Sequence, residues 1–484
     1  MTKQEAAIKY ITENYLDYRR LRHDIVADKL QVRMADSLED ASLQNAPVGL
    51  QFRGSEYWRE MTKHDINSIV CHCAQEYDAN ITSREVMTAL QSDLIPDVHP
   101  LREYVLSCGE WTEEQPDWID LVASQVRVRE SATDRCEAPV DRHFVAVDGR
   151  SAAPVVFHNE STASNASELQ CSASETNYSE ATHSSQSERS EADRLWRVCF
   201  KKWFVAMVAS WMKDEVVNHQ VLVLIGKQGI FKTTWLEHLI PPHLRAYACK
   251  LANSNDLNKD ERLRIAEFGL ISLDEIDSMN NRELNQLKSV ITATDVNERA
   301  AYAYTKERRV RLASFCASGN RRDFLTDITG NRRWLPFEVE SIQNPFYTLL
   351  PYERMYAQAW ALAQDPLFSY WFDLDEIEVL EEHNQHFRDE SNEEQLLPIL
   401  FDVPAEGRGE FMTTAQISER LVTYGNIKKP MALGRLGVLM GSMGYRSVTR
   451  GNRQARLRGW LVYQRDTDEI AANKKLLAKE CVTV

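Results

Sequence analysis

Three apolar runs in this chain stop abruptly at polar residues, and each predicts a buried β-strand. Val221-Leu-Val-Leu-Ile225 is unbroken; Phe268-Gly-Leu-Ile-Ser-Leu273 runs into Asp274-Glu275; Arg311-Leu-Ala-Ser-Phe-Cys-Ala317 runs through Ser318-Gly319 to Asn320. Short continuous apolar runs mark strands covered on both faces, the pattern of a parallel sheet between helices. Helical periodicity governs other stretches: Ile66–Ala74, Trp118–Ala123 and, most strongly, Ala192–Met212, whose aromatics read as core and which leads into the first strand. Arg22–Arg33 reads as a short hairpin. Near the C-terminus, Thr413–Leu421 and Leu433–Met440 predict two helices. Tyr445–Tyr463 predicts a hairpin turning at Gly451-Asn452, with arginines alternating along it.

Composition divides the chain. Between about Cys136 and Glu191 it turns to Ser, Thr, Asn, Glu and Ala, too poor in apolar groups to offset ordering entropy. The expected organisation is an N-terminal helical domain over 1–130, a disordered Ser/Thr/Glu-rich linker over 131–191, an α/β domain over 192–372, an acidic connector over 373–404 and a basic α+β domain over 405–470. The net charge of −15 hides this asymmetry. Residues 351–404 hold 2 Lys and Arg against 13 Asp and Glu, whereas 405–465 hold 11 against 3, a net +8. A helix, a second helix and a basic hairpin are the parts of a winged helix, and Arg450, Arg453 and Arg456 would meet phosphates there. A solvated basic face that balances the acidic segment is the competing reading. No run of 18 apolar residues exists, and the N-terminus starts no signal peptide. Nine cysteines without framework spacing fit reduced thiols in a cytoplasm. Cys71-His72-Cys73, adjacent on a helix, point in different directions and make a poor metal site.

The chemistry concentrates after the strands. Gly226-Lys-Gln-Gly-Ile-Phe-Lys-Thr-Thr234 follows the first strand and opens a helix, the arrangement that cradles a phosphate. The loop residues Gly226, Gln228, Gly229, Ile230 and Phe231 would turn backbone N–H groups toward the anion, and Thr234 continues into the helix. Lys232 would reach the outer phosphates of ATP and Thr233 would hold Mg2+. Phe231 stands where G-x-x-x-x-G-K-[ST] has glycine. Asp274 would complete the magnesium shell, Glu275 would polarise the attacking water, and Asn320 can bond a phosphate oxygen and that water. Three strands deliver polar tips to one edge, where parallel sheets bind ligands.

This order of motifs resembles the superfamily 3 helicase-type ATPases and, within them, the virulence-associated E (VirE) family of phage and mobile-element replication modules. Thr329-Gly-Asn-Arg-Arg-Trp-Leu-Pro-Phe-Glu-Val339 is similar to the family's G-N-R-R segment, and His99-Pro-Leu-Arg-Glu-Tyr104 with Trp111 to its H-P-x-R-x-Y-L…W element. The resemblance implies an AAA+-like P-loop NTPase core, a ring with a hexamer as the family-like guess, and ATP hydrolysis at subunit interfaces. Arg332 and Arg333 would then stabilise a γ-phosphate bound by a neighbour, or else pair with Glu338 or Asp327. Between the second and third strands, Tyr302, Tyr304, Lys306, Arg308 and Arg309 have the chemistry of a channel hairpin gripping single-stranded DNA. Alternation puts Lys306 and Arg308 on one face, Arg309 and Arg311 on the other. The expected activity is that of an ATP- and Mg2+-dependent nucleic-acid motor, a replicative DNA helicase, with any primase supplied by another chain. A nucleotide-driven regulatory or anti-phage defence switch is the alternative; a transcription factor carried by the basic domain is the third.

Overall fold

The computed structural model describes residues 2–33, 58–77, 80–129, 190–251, 259–298, 307–325, 331–404, 409–452 and 455–480. Their contacts divide them into two compact units: the described residues of 1–130, 141–320 and 337–373 in one, those of 321–336 and 374–484 in the other.

The first unit begins with helix α1 (Lys3–Ile11), started by a Thr2–Glu5 capping box. The hairpin expected at 22–33 is present as β1 (Leu21–Asp24) and β2 (Lys29–Arg33), within a four-stranded sheet completed by β3 (Trp58–Glu60) and β4 (Asp97–Val98). Helices α2 (Lys63–Tyr77) and α3 (Ser83–Leu90) close its core on Ile69, Cys73, Val86 and Leu90. Within α2, Cys71 is exposed and Cys73 buried. The 1–130 region is therefore helix and sheet together, not helical alone.

Next, α4 (Pro100–Ser107) shows what the His99–Tyr104 element does. Burial pushes the His99 imidazole down to about 4. The neutral ring caps the helix by accepting from the backbone N–H of Arg102 at 3.3 Å. Arg102 in turn donates to the Trp211 carbonyl at 2.7 Å and pairs with Asp214, and the Tyr104 ring packs edge-on against His243 and Tyr356. The motif is a clamp. Helix α5 (Trp118–Ala123) leads to the short strand β5 (Val126–Val128).

After residue 190, α6 (Glu191–Met212) buries Trp196, Phe200, Trp203, Phe204 and Trp211 against the sheet; each such side chain contributes roughly 1.5–3 kcal/mol. The sheet then forms from β6 (Val221–Ile225), α7 (Lys232–His238), β7 (Ala248–Leu251), α8 (Lys259–Glu267), β8 (Leu270–Leu273) and α9 (Asn281–Thr292). A two-stranded ribbon, β9 (Asp295–Glu298) and β10 (Glu307–Val310), precedes β11 (Ser314–Gly319) and β12 (Trp334–Ile342), and α10 (Tyr352–Gln364) packs on α6. The order is β5-β12-β6-β11-β8-β7. Strands β6, β11, β8 and β7 run parallel, and β5 adds to the edge antiparallel to β12. The three strands read from sequence are its centre.

In the second unit, the residues expected to be an acidic connector form α11 (Leu374–Gln385) and α12 (Asn392–Leu400), followed by β13 (Phe401–Asp402) and β14 (Glu410–Met412). Helices α13 (Thr414–Gly425) and α14 (Leu433–Ser442) and the hairpin β15 (Arg446–Asn452) with β16 (Ala455–Gln464) share a core of Leu397, Ile417, Leu436, Leu439, Trp460 and Val462; α15 (Thr467–Glu480) follows. The ladder runs to Asn452 opposite Ala455. Gly451 and Asn452 therefore pair as strand residues, and the turn does not fall on them as expected. No helix among the described residues is long and apolar enough to cross a membrane.

Candidate functional site

Parallel pairing fixes the site. Ile225 is level with Gly319, and Leu273 with both Ala317 and Leu251. The residues that follow, Gly226, Asn320 and Asp274, thus emerge from one edge of the sheet. Gly226 donates its N–H to the Gly319 carbonyl at 3.1 Å. A Cβ on Gly226 would lie 2.7 Å from the Val339 carbonyl oxygen, so only glycine lets the chain leave β6 this close to β12. Gln228 and Gly229 are exposed and Ile230 half-buried on the turn. Phe231 occupies the left-handed region, φ 67° and ψ 18°, directly before α7. The loop thus demands the backbone that glycine supplies in the usual motif, at a cost to phenylalanine of roughly 1–2 kcal/mol. Trp235 anchors the helix behind, its indole donating to Gln125 Oε1 at 3.1 Å.

The Lys232 side chain curls back under the loop. Its ammonium donates to the carbonyls of Gly226 at 2.8 Å and Lys227 at 2.7 Å and to Asn320 Oδ1 at 3.3 Å. Burial pushes its pKa down, opposed by Asp277 and Asp274. Beside it, Asp274 Oδ1 accepts from Ser318 Oγ at 2.8 Å and Thr233 Oγ1 at 3.3 Å, the two hydroxyls being 2.9 Å apart. The other carboxylate oxygen is 2.7 Å from the ammonium of Lys250, on β7. Burial pushes the Asp274 carboxyl up, but Lys250 and the hydroxyls outweigh it and the net direction is down. Asp274 in turn holds Lys250 up. Glu275 is exposed and left-handed, φ 52° and ψ 49°, so two non-glycine residues at one site hold a costly conformation. Thr234 lies half-buried in the first turn of α7.

Lys232, Thr233, Asp274 and Asn320 are brought together as expected from the strand ends. Sequence reading missed two contributors. Ser318 was legible by alternation, two residues before Asn320 on a strand. Lys250 had no signal, since Tyr247-Ala-Cys-Lys-Leu251 is too short and too mixed to announce a strand. Hydroxyl and carboxylate oxygens are hard donors that suit Mg2+. Among the described residues no group of three or more His, Cys, Asp and Glu could hold an ion, so such an ion would depend on ligand oxygens as well.

The nucleic-acid candidates separate. Arg308 on β10 is exposed and pairs with Asp295 across the ribbon. Arg309 turns inward, 2.6 Å from Asp28 and 3.7 Å from Glu267, which corrects its expected place on a nucleic-acid face: alternation leaves Arg308 outward. Arg311 is fully buried. Its guanidinium donates to the Ile291 carbonyl at the end of α9 and to the Asn218 carbonyl at 2.9 Å. Tyr302, Tyr304, Lys306 and Arg453 lie outside the described residues, as does Asp327. Arg450 stacks over Phe411, 4.8 Å from the ring centre, and Arg456 is exposed. Arg332 is exposed and Arg333 half-buried. Their segment is held by Asn384 on α11, whose amide donates to the carbonyls of Asn331 at 2.9 Å and Trp334 at 3.1 Å. Glu338, one of the two partners in the alternative reading of this pair, binds Arg129 at 2.8 Å.

Residues 176–394 match the virulence-associated protein E-like domain. No curated protein matches the chain. Among solved structures, the apo structure of NrS-1 C terminal region (305-718) aligns with 95% of this chain and all of that one, at 10% identity and a TM-score of 0.39. The A form apo structure of the same region gives 92% and 96%, 9% identity and 0.34. These scores fall below the level at which a shared fold follows.

Proposed function

We propose, from the premise that residues 176–394 of this chain are a virulence-associated protein E-like domain, that the protein is a P-loop ATPase. Its work is that of a nucleic-acid motor, a replicative DNA helicase of a phage or mobile element acting as a ring. The observation that carries this is the meeting of Lys232, Thr233, Asp274, Ser318 and Asn320 at the carboxyl ends of three adjacent parallel strands. Parallel sheets bind ligands there. In this reading the loop from Gly226 to Phe231 turns N–H groups to the β-phosphate and Lys232 balances the outer charge. Thr233 and Asp274 would hold Mg2+, which when bound offsets the charge on the phosphates. Glu275 takes the proton of the attacking water, and Asn320 orients that water and a phosphate oxygen. The exposed cations Arg308, Arg450 and Arg456 offer contacts to single-stranded DNA, and α13, α14 and the β15–β16 hairpin act as a winged helix.

The test separates binding from chemistry. Lys232→Ala should lose nucleotide binding measured by calorimetry. Glu275→Gln should bind ATP normally and lose about 10²–10⁴-fold in turnover, the usual contribution of a general base. Normal hydrolysis in both variants would sink the ATPase reading. ATP-driven strand displacement on a forked duplex separates the motor from a regulatory or defence switch, which would hydrolyse without unwinding.

A further inference from the structure

Beyond β12 the chain runs back alongside α7. Tyr352 Oη donates to the His238 carbonyl at 2.7 Å and Tyr356 Oη to the Leu239 carbonyl at 3.0 Å, which ties the start of α10 to the end of α7. Between β12 and the start of α10, Asn344 sets a turn: its Oδ1 accepts from the Phe346 N–H at 3.0 Å and its carbonyl from the Tyr347 N–H at 3.1 Å. Two consecutive aromatics are thereby held outward, Phe346 at 66% exposure and Tyr347 at 86%. The Phe346 ring stands edge-on to Phe231 of the phosphate loop, 6.4 Å between centres and 81° between planes. It meets His238 in the same way at 5.6 Å and 86°. Water is a poor solvent for so much aromatic surface, and a flat partner would remove it from contact.

We propose that Phe346, with Phe231 at its edge and Tyr347 beside it, is the stacking platform for the base of the nucleoside triphosphate whose phosphates the loop takes. The proposal rests on the phosphate-loop reading and adds the part of the ligand that the loop does not touch. The occupant follows from contiguity. Phe231 belongs to the loop itself, and only a ribose separates a base from the first phosphate, so one nucleotide can reach both. The substitution of phenylalanine for glycine at a left-handed position gains a purpose: it costs backbone energy and places an aromatic wall beside the phosphates. Stacking reads area rather than hydrogen-bond pattern. Purine triphosphates should therefore bind better than pyrimidine triphosphates, with ATP and GTP nearly equal.

Calorimetry on the full chain with two probes, ATP and inorganic tripolyphosphate, tests this. Phe346→Ala should weaken ATP about tenfold, at the lower end of what loss of one stacking ring costs, and leave tripolyphosphate unchanged. Phe346→Trp should restore ATP. The thermal midpoint reports whether each variant is folded, and so exposed a side chain should leave it in place. Equal weakening of both probes, or of neither, overturns the platform while leaving phosphate binding intact. If Phe346→Ala changes the sedimentation coefficient and not ATP affinity, the face belongs to a second copy of the chain and the platform is again wrong. Failure of the unmodified protein to bind either probe removes the phosphate-loop reading itself, an outcome distinct from the others.

Discussion

The carboxylate of Asp274 is shared between two hydroxyls and the Lys250 ammonium, and that sharing sets its protonation. With Lys250 replaced by alanine, burial pushes the carboxyl up against weaker opposition, so its pKa should rise. A depressed carboxyl contributes stability above its unfolded value and loses it as pH falls through the folded value. The Lys250→Ala variant should therefore keep less of that contribution above the unfolded value, and its Asp274 carboxyl should titrate at a higher pH than the parent's. Carbon-detected titration of Asp274 reads this directly, and an unmoved midpoint would show that the hydroxyls alone hold the carboxyl down. Lys250 also marks the limit of what the residues announce by themselves. Lys232, Thr233 and Asp274 were legible because each follows a recognisable strand at a fixed spacing. Lys250 reaches Asp274 only because β7 lies beside β8, a pairing that no local pattern contains. The left-handed backbone of Phe231 was half legible: its place in the motif called for glycine, but what the ring touches depended on a turn more than a hundred residues away.

Helix ends leave carbonyls that need partners, and α9 finds one from the strand side of the sheet. Arg311 inserts its guanidinium under the last turn, donating to the Ile291 carbonyl and also to those of Ala293 at 3.3 Å and Asn218 at 2.9 Å. Burial pushes its pKa down to about 9, and the carboxyl end of the helix supplies the partial negative charge that keeps it inside. Arg311→Leu should cost about 2–4 kcal/mol in chemical denaturation, because several buried carbonyls lose their donor at once. A loss below 0.5 kcal/mol would mean that water replaces the guanidinium without penalty. Sequence alternation had put Arg311 with Arg309 on the face opposite Arg308, without saying which face is buried; in the structure Arg309 and Arg311 turn inward and Arg308 is exposed. The same alternation did not fix the register of the C-terminal hairpin. There Gly451 and Asn452 had the chemistry of a turn, yet Trp460 and Val462 seat in the core, and the ladder takes both Gly451 and Asn452 as strand residues. The acidic residues of 373–404 read as a connector because charge masked the helical spacing of Leu380, Leu397 and Leu400, which are buried.

For the assembled protein, the ring reading makes a claim that one chain cannot satisfy alone. If Arg332 or Arg333 acts on a neighbour's γ-phosphate, alanine variants of either should bind ATP and lose roughly 10³-fold or more of turnover. Mixed with Lys232→Ala subunits, they should recover part of it wherever an intact loop faces an intact arginine. Monomeric, fully active arginine variants would exclude the trans arrangement. The whole-molecule organisation was the least legible level. Hydrophobic runs gave the centre of the sheet, but its sixth strand, β5, comes from a region whose composition suggested a separate domain. That strand carries a lesson about modularity. The family match begins at residue 176, yet Val126–Val128 borders β12, Gln125 anchors Trp235, and Asp117 and Asp120 hold Lys201 and Arg197 of α6. A gene fragment cut at the homology boundary would leave a sheet with a raw edge and a helix with severed ion pairs. As a module, the segment that keeps these contacts whole reaches back at least to Asp117, well before the start of the family match.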